Sequence, residues 1–141
     1  MKIRFEKKYT VGLLRKHPED IFVFGDNLQK TGKGGQAIIR DEPNAFGVPT
    51  KRLPKRTADA YFSDLEEEKQ AVIESLRDLY RLGKEKVLVF PEDGLGTGLA
   101  LMKEKSPEAF KRMNEILETH FGVVFPEENT VGDPEISSSE P

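Results

Sequence analysis

Two glycine-rich stretches hold most of the residues that could do chemistry. In the first, Gly25, Asp26, Asn27 and Leu28 follow an apolar run, and Gly32, Lys33, Gly34, Gly35, Gln36 and Ala37 come soon after. Glycines so spaced let backbone N–H groups approach a ligand closely, and a helix beginning just beyond favours an anion. A phosphate-bearing small molecule suits the pattern. A strand-to-helix turn that merely needs positive φ angles suits it equally, so this stretch alone leaves both open. In the second stretch Asp93 precedes Gly94, Leu95, Gly96, Thr97, Gly98 and Leu99, again after an apolar run. Between them, Thr50 and Lys51 close a short apolar segment. His17 stands in a turn before Pro18, and His120 falls in the last turn of a helix, where a cation suits the dipole. No spacing of His, Asp and Glu reads as a metal site, and no cofactor is expected.

Charge sharpens the picture. The formal net charge is -3, yet Lys30, Lys33, Arg40, Lys51, Arg52, Lys55 and Arg56 crowd one segment whose acids are Asp41 and Glu42. A local positive field around the first glycine loop attracts phosphates. Cysteine is absent, which excludes disulfides, thiolate metal sites and a cysteine nucleophile. No apolar run reaches the ~18–20 residues of a membrane span, and the opening MKIRFEKKYT has no apolar signal core. No membrane partner and a cytoplasmic location are therefore expected.

The elements that must position these residues can be read from periodicity. Lys2 to Phe5 alternates as a short edge strand, and Thr10 caps a brief helix stopped by Pro18. Ile21 to Phe24 is a strand buried on both faces, as in a parallel sheet. Helix resumes at Gly35 or Gln36 and is limited by Pro43. Phe46 and Val48 form a short strand that delivers Thr50 and Lys51 to its end. Ser63 and Glu66 match a capping box opening a helix with Leu65, Val72, Ile73, Leu76, Leu79 and Tyr80 inward and its acids, Glu68 among them, outward. Lys86 to Phe90 is a second apolar strand. Ser106 and Pro107 start the last helix, and Val123 to Phe125 suits a final edge strand. One domain over residues 1–126 and a disordered acidic tail over 127–141 are expected. Strands ending in glycine loops with helices between them mean α/β architecture, with ligands beyond the strands' carboxyl ends.

The first loop lacks the G-x-x-x-x-G-K-[ST] pattern of a P-loop, and GKGGQA has the wrong spacing for a dinucleotide fingerprint. The pair of loops resembles a macro domain, the ADP-ribose-binding α/β fold. TGKGGQA, FGVPTK, the helix from Ser63 and FPEDGLGTGL occur in the order of one branch. That branch holds the antitoxins that remove ADP-ribose from DNA and the glycohydrolase acting on ADP-ribosylated glutamate. The resemblance spans roughly Ile21 to Phe121. It implies a three-layer sandwich with a mixed, largely parallel sheet and helices on both faces. It also implies that the two loops enclose a diphosphate and its distal ribose, and that Lys51 matches the lysine attacking the ribose anomeric carbon. A lysine beside other cations or an apolar wall can lose its proton and serve so; as a plain phosphate-facing cation it reads equally well. The branch's partner acid falls about where Gly98 stands here, so Asp93 and Asp26 are the carboxylates on offer.

Three functions follow as expectations. The first is a hydrolase that removes ADP-ribose from a protein or DNA, with Lys51 and Asp93 catalytic. The second is a module that binds ADP-ribose or a related nucleotide without turnover. The third is a nucleic-acid-binding protein using Lys30 to Arg56, a stretch with Phe46 as its single aromatic for base stacking.

Overall fold

The computed structural model describes residues 1–125. Four strands form one sheet: β1 (Ile3–Glu6), β2 (Ile21–Asn27), β3 (Ala45–Lys51) and β4 (Leu88–Pro91), in the order β1-β4-β2-β3. All the pairings are parallel, so the expected mixed sheet is not found among the described residues. Every strand is joined to the next by a crossover rather than a hairpin, which forces parallel neighbours. Val123–Phe125 is irregular rather than a strand. The expected tail lies outside the described residues, apart from which no helix is long and apolar enough to cross a membrane.

Alternation along β2 and β4 builds two cores. Phe22, Phe24 and Val89 face α1 (Val11–Lys16) and the 3₁₀ turn Gly35–Ile39, packing with Leu14, Ala37 and Ile39. Val23, Leu88 and Phe90 face the other way, onto α2 (Glu66–Gly83), α3 (Met102–Lys105) and α4 (Pro107–Ile116), whose Val72, Leu76, Met102 and Met113 fill the larger core. Because successive side chains of a strand point to opposite faces, burial on both faces needs the unbroken apolar runs seen here.

Two helix starts differ from expectation. Ser63 and Glu66 do not form a box; α2 begins at Glu66, and the Glu68 Oε1 accepts hydrogen bonds from the Ser63 and Leu65 amides at 2.8 and 3.1 Å. Glu68 is thereby buried, with Arg52 Nε 3.5 Å from its second oxygen, while Leu65 and Tyr80 stand exposed. Ser106 does not cap α4 either. Its hydroxyl is turned to the Met102 carbonyl at 3.4 Å, and the Asp64 carboxylate accepts from the Glu108 and Ala109 amides at 3.1 and 2.8 Å. Asp64 itself holds a left-handed φ of 62°. Asp64→Ala removes the cap and leaves alanine in that conformation, so a loss of about 2 kcal/mol is expected from chemical denaturation. Asp64→Asn, which keeps an oxygen acceptor and tolerates the backbone, should recover part of it.

Candidate functional site

Neighbouring strands β4 and β2 send their following loops to opposite faces of the sheet. The chain after β2 joins the α1 side, and the chain after β4 joins the α2 and α4 side. Such a divergence opens a crevice at the carboxyl ends of the strands. The paired register of β2 with β4 covers Ile21↔Leu88 and Phe22↔Val89. Beyond it Tyr9 fills the fork, its hydroxyl lying 2.7 Å from the Val23 carbonyl and 3.1 Å from that of Val89. Burial raises this phenol well above its ordinary pKa, so it stays a neutral donor.

Gln36 spans the crevice. Its Oε1 accepts from the Gly25 amide at 2.9 Å, and its Nε2 donates to the Gly94 carbonyl at 2.9 Å, so one side chain ties the first strand end to the second glycine loop. Gly25 lies where both loops converge: a Cβ there would sit 3.4 Å from Thr50 Oγ1 and 3.8 Å from the Gly96 amide. Thr50 Oγ1 donates to the Asp26 carbonyl at 3.0 Å, locking β3 to β2 at the same level.

Arg40 shapes the first loop from beneath. It pairs with Asp26 at 2.7 Å, donates to the Gly32 and Thr31 carbonyls at 2.7 and 3.0 Å, and lies over the Phe24 ring. The Asp26 side chain packs directly on Gly47, where a Cβ would come within 2.5 Å of its oxygen. Asn27 Nδ2 donates to the Thr31 carbonyl at 2.8 Å, while its buried Oδ1 has no donor among the described residues. The segment expected as a helix is only a 3₁₀ turn, Gly35–Ile39, too short to carry a macrodipole.

The result is an open cleft of about 1080 Å³. Its wall includes Gly25, Asp26, Asn27, Lys33, Gly34, Gly35, Gln36 and Ala37 from the first stretch, Thr50 and Lys51 from β3, and Asp93, Gly96, Thr97, Gly98 and Leu99 from the second. Three residues expected at the ligand do not line this cleft. Leu28 is exposed outside the cleft, Leu95 is buried in the larger core, and Gly94 contributes its carbonyl to Gln36 from behind the wall. Nearness in sequence to the glycines does not fix where the side chains of Leu28 and Leu95 point.

Lys51 has an unusual setting. Its Nζ donates to the Lys55 carbonyl at 2.6 Å and sits 5.0 Å from the centre of the Tyr61 ring, which Lys105 flanks at 5.3 Å. Partial burial, and then the positive charge of Arg56, hold the amine below the usual lysine range. Asp93 is exposed on the opposite loop, with its carbonyl accepting from Thr97 Oγ1 at 3.0 Å.

Sequence reasoning missed Lys7, Lys8 and Tyr9 on the cleft wall and gave Arg40 no role in the loop. A parallel sheet puts all its strand ends along one edge, so the residues following the first strand were available to that logic. Among the described residues no group of His, Cys, Asp and Glu could hold a metal ion.

Fold and cleft together define a small parallel α/β protein with a cationic crevice where its central strands diverge. The chain belongs to the family of unknown function DUF7831, which matches it over residues 4–116. No curated protein and no solved structure matches the chain.

Proposed function

We propose that the cleft binds ADP-ribose and that the chain releases it from a macromolecule. The observation that carries this reading is the crevice itself: two glycine loops meet across Gln36 at the divergence of β2 and β4, in a wall with Lys33, Arg40, Lys51, Lys55 and Arg56 against Asp26 and Asp93. Such a wall suits a diphosphate, and the cleft is large enough for a nucleoside on either side of it. Turnover is supported by Lys51, whose amine is biased toward its neutral, nucleophilic form at the cleft wall.

The test is binding of ADP-ribose followed by thermal denaturation, with Gly34→Val as the blocking variant. Gly34 has an ordinary φ of -78°, and a Cβ there would meet only Leu99 Cδ1, at 3.8 Å. The variant should therefore melt within a few degrees of the wild type. At a hundredfold excess over Kd, ADP-ribose should stabilise the wild type by about 2.7 kcal/mol and leave Gly34→Val unmoved. An equal shift in both proteins would put the ligand outside the cleft, and no shift in the wild type would overturn the reading.

A further inference from the structure

The charge in this cleft is uneven in a way that a single diphosphate does not explain. In its middle, Lys33 is paired with Asp41 and Arg40 with Asp26. At its two ends the cations are free of such pairing. Lys7 and Lys8 follow β1 at one edge of the sheet, both exposed, and no carboxylate makes an ion pair with either among the described residues. The adjacent Glu6 is taken by Arg4 at 3.3 Å. Lys51, Lys55 and Arg56 follow β3 at the other edge, also without an ion-paired carboxylate among the described residues, although Asp59 feels the Lys55 charge. With strands about 4.8 Å apart, the sheet order sets the backbones that carry these two groups about 14 Å from each other. That is wider than one diphosphate seated between the glycine loops.

We propose that the β1 end of the cleft is a second anion subsite, so that the preferred ligand is an ADP-ribose carrying a further phosphate on its adenosine ribose. This rests on the function proposed above: with the reacting ribose at Lys51 and the diphosphate between the loops, the adenosine arm runs toward β1. A neutral adenosine would leave the Lys7 and Lys8 charges facing solvent there, whereas a phosphate meets two ammonium groups that no carboxylate among the described residues holds in an ion pair.

The experiment compares the affinity of the full chain for ADP-ribose and for ADP-ribose bearing a phosphate on the adenosine 2′-hydroxyl. The measurements cover the wild type, Lys7→Gln/Lys8→Gln, and Lys55→Gln/Arg56→Gln. In the wild type the added phosphate should tighten binding about tenfold. That gain should vanish in Lys7→Gln/Lys8→Gln and shrink at high salt, but persist in Lys55→Gln/Arg56→Gln, where both ligands weaken alike. Equal affinities in the wild type, or a gain that survives Lys7→Gln/Lys8→Gln, would overturn the subsite and leave the proposed function standing. Failure of both nucleotides to bind any of the three proteins would overturn the two together.

Discussion

Lys51→Ala is expected to reduce release of ADP-ribose by at least about a thousandfold while changing its affinity by less than about tenfold, or roughly 1.4 kcal/mol. In the proposed reaction the neutral Nζ attacks the ribose anomeric carbon, the bond from that carbon to the macromolecule breaks, and the departing atom takes up the proton that the newly bonded nitrogen sheds. Asp93, a carboxylate on the cleft wall, would accept that proton from the nitrogen and pass it to the departing atom. The hydrogen bond from Nζ to the Lys55 carbonyl leaves the lone pair of the neutral amine available. Opening of the ribose then gives an imine that borohydride should trap on the wild type alone. Because the neutral amine reacts and its pKa is lowered, activity should rise with pH and level off below the usual lysine range. Arg56→Gln removes one cause of that lowering and should move the rise to higher pH. Wild-type activity in Lys51→Arg would sink the covalent step, since arginine keeps the charge but not the nucleophilicity. Binding without any turnover on ADP-ribosylated DNA or protein would instead make the chain a reader of the modification.

Gly96→Val is expected to destabilise the fold by about 3 kcal/mol or more, read from the denaturation midpoint, whatever it does to the ligand. Gly96 has a φ of 77°, and a Cβ there would fall 2.2 Å from Met102 Sδ and 2.9 Å from its Cγ. Met102 is fully buried in the larger core, so it cannot swing into solvent. The left-handed backbone adds about 1–2 kcal/mol for a residue with a Cβ, and overpacking adds about 1–3 kcal/mol. Gly34 and Gly96 look alike as loop glycines, yet the first is open to substitution and the second underlies the core. A wild-type midpoint for Gly96→Val would show that Met102 repacks at no cost and that the second loop is not held by the core beneath it.

Much of the framework was legible in the residues. The runs Ile21–Phe24 and Val87–Phe90 announce strands buried on both faces, because a sheet covered on both sides offers no wet face for alternate polar residues. Thr10 caps its helix as its type and place require, with Leu13 N donating to Oγ1 at 3.1 Å. The glycine stretches follow β2 and β4 at one edge of the sheet, which α/β topology dictates once the strands are known. Local pattern was misleading where a distant partner decided the outcome. Glu68 reads as a surface acid on an amphipathic helix, but it is turned inward by the Ser63 and Leu65 amides and by Arg52. Ser106 and Pro107 read as a self-capped helix start, but Asp64 from another part of the chain supplies the carboxylate.

What the sequence determined by itself, then, is the set of short-range preferences: apolar runs, glycine loops, breakers and the cationic segment. Only the tertiary structure decided which charges remain free. Lys33 and Arg40 belong to the most basic stretch of the chain, yet Asp41 and Asp26 neutralise them. Lys7 and Lys8, unremarked in sequence, reach the cleft because β1 lies beside β4 in a parallel sheet. Ion pairing and strand order depend on which segments meet in space, and a parallel sheet brings together strand ends far apart along the chain.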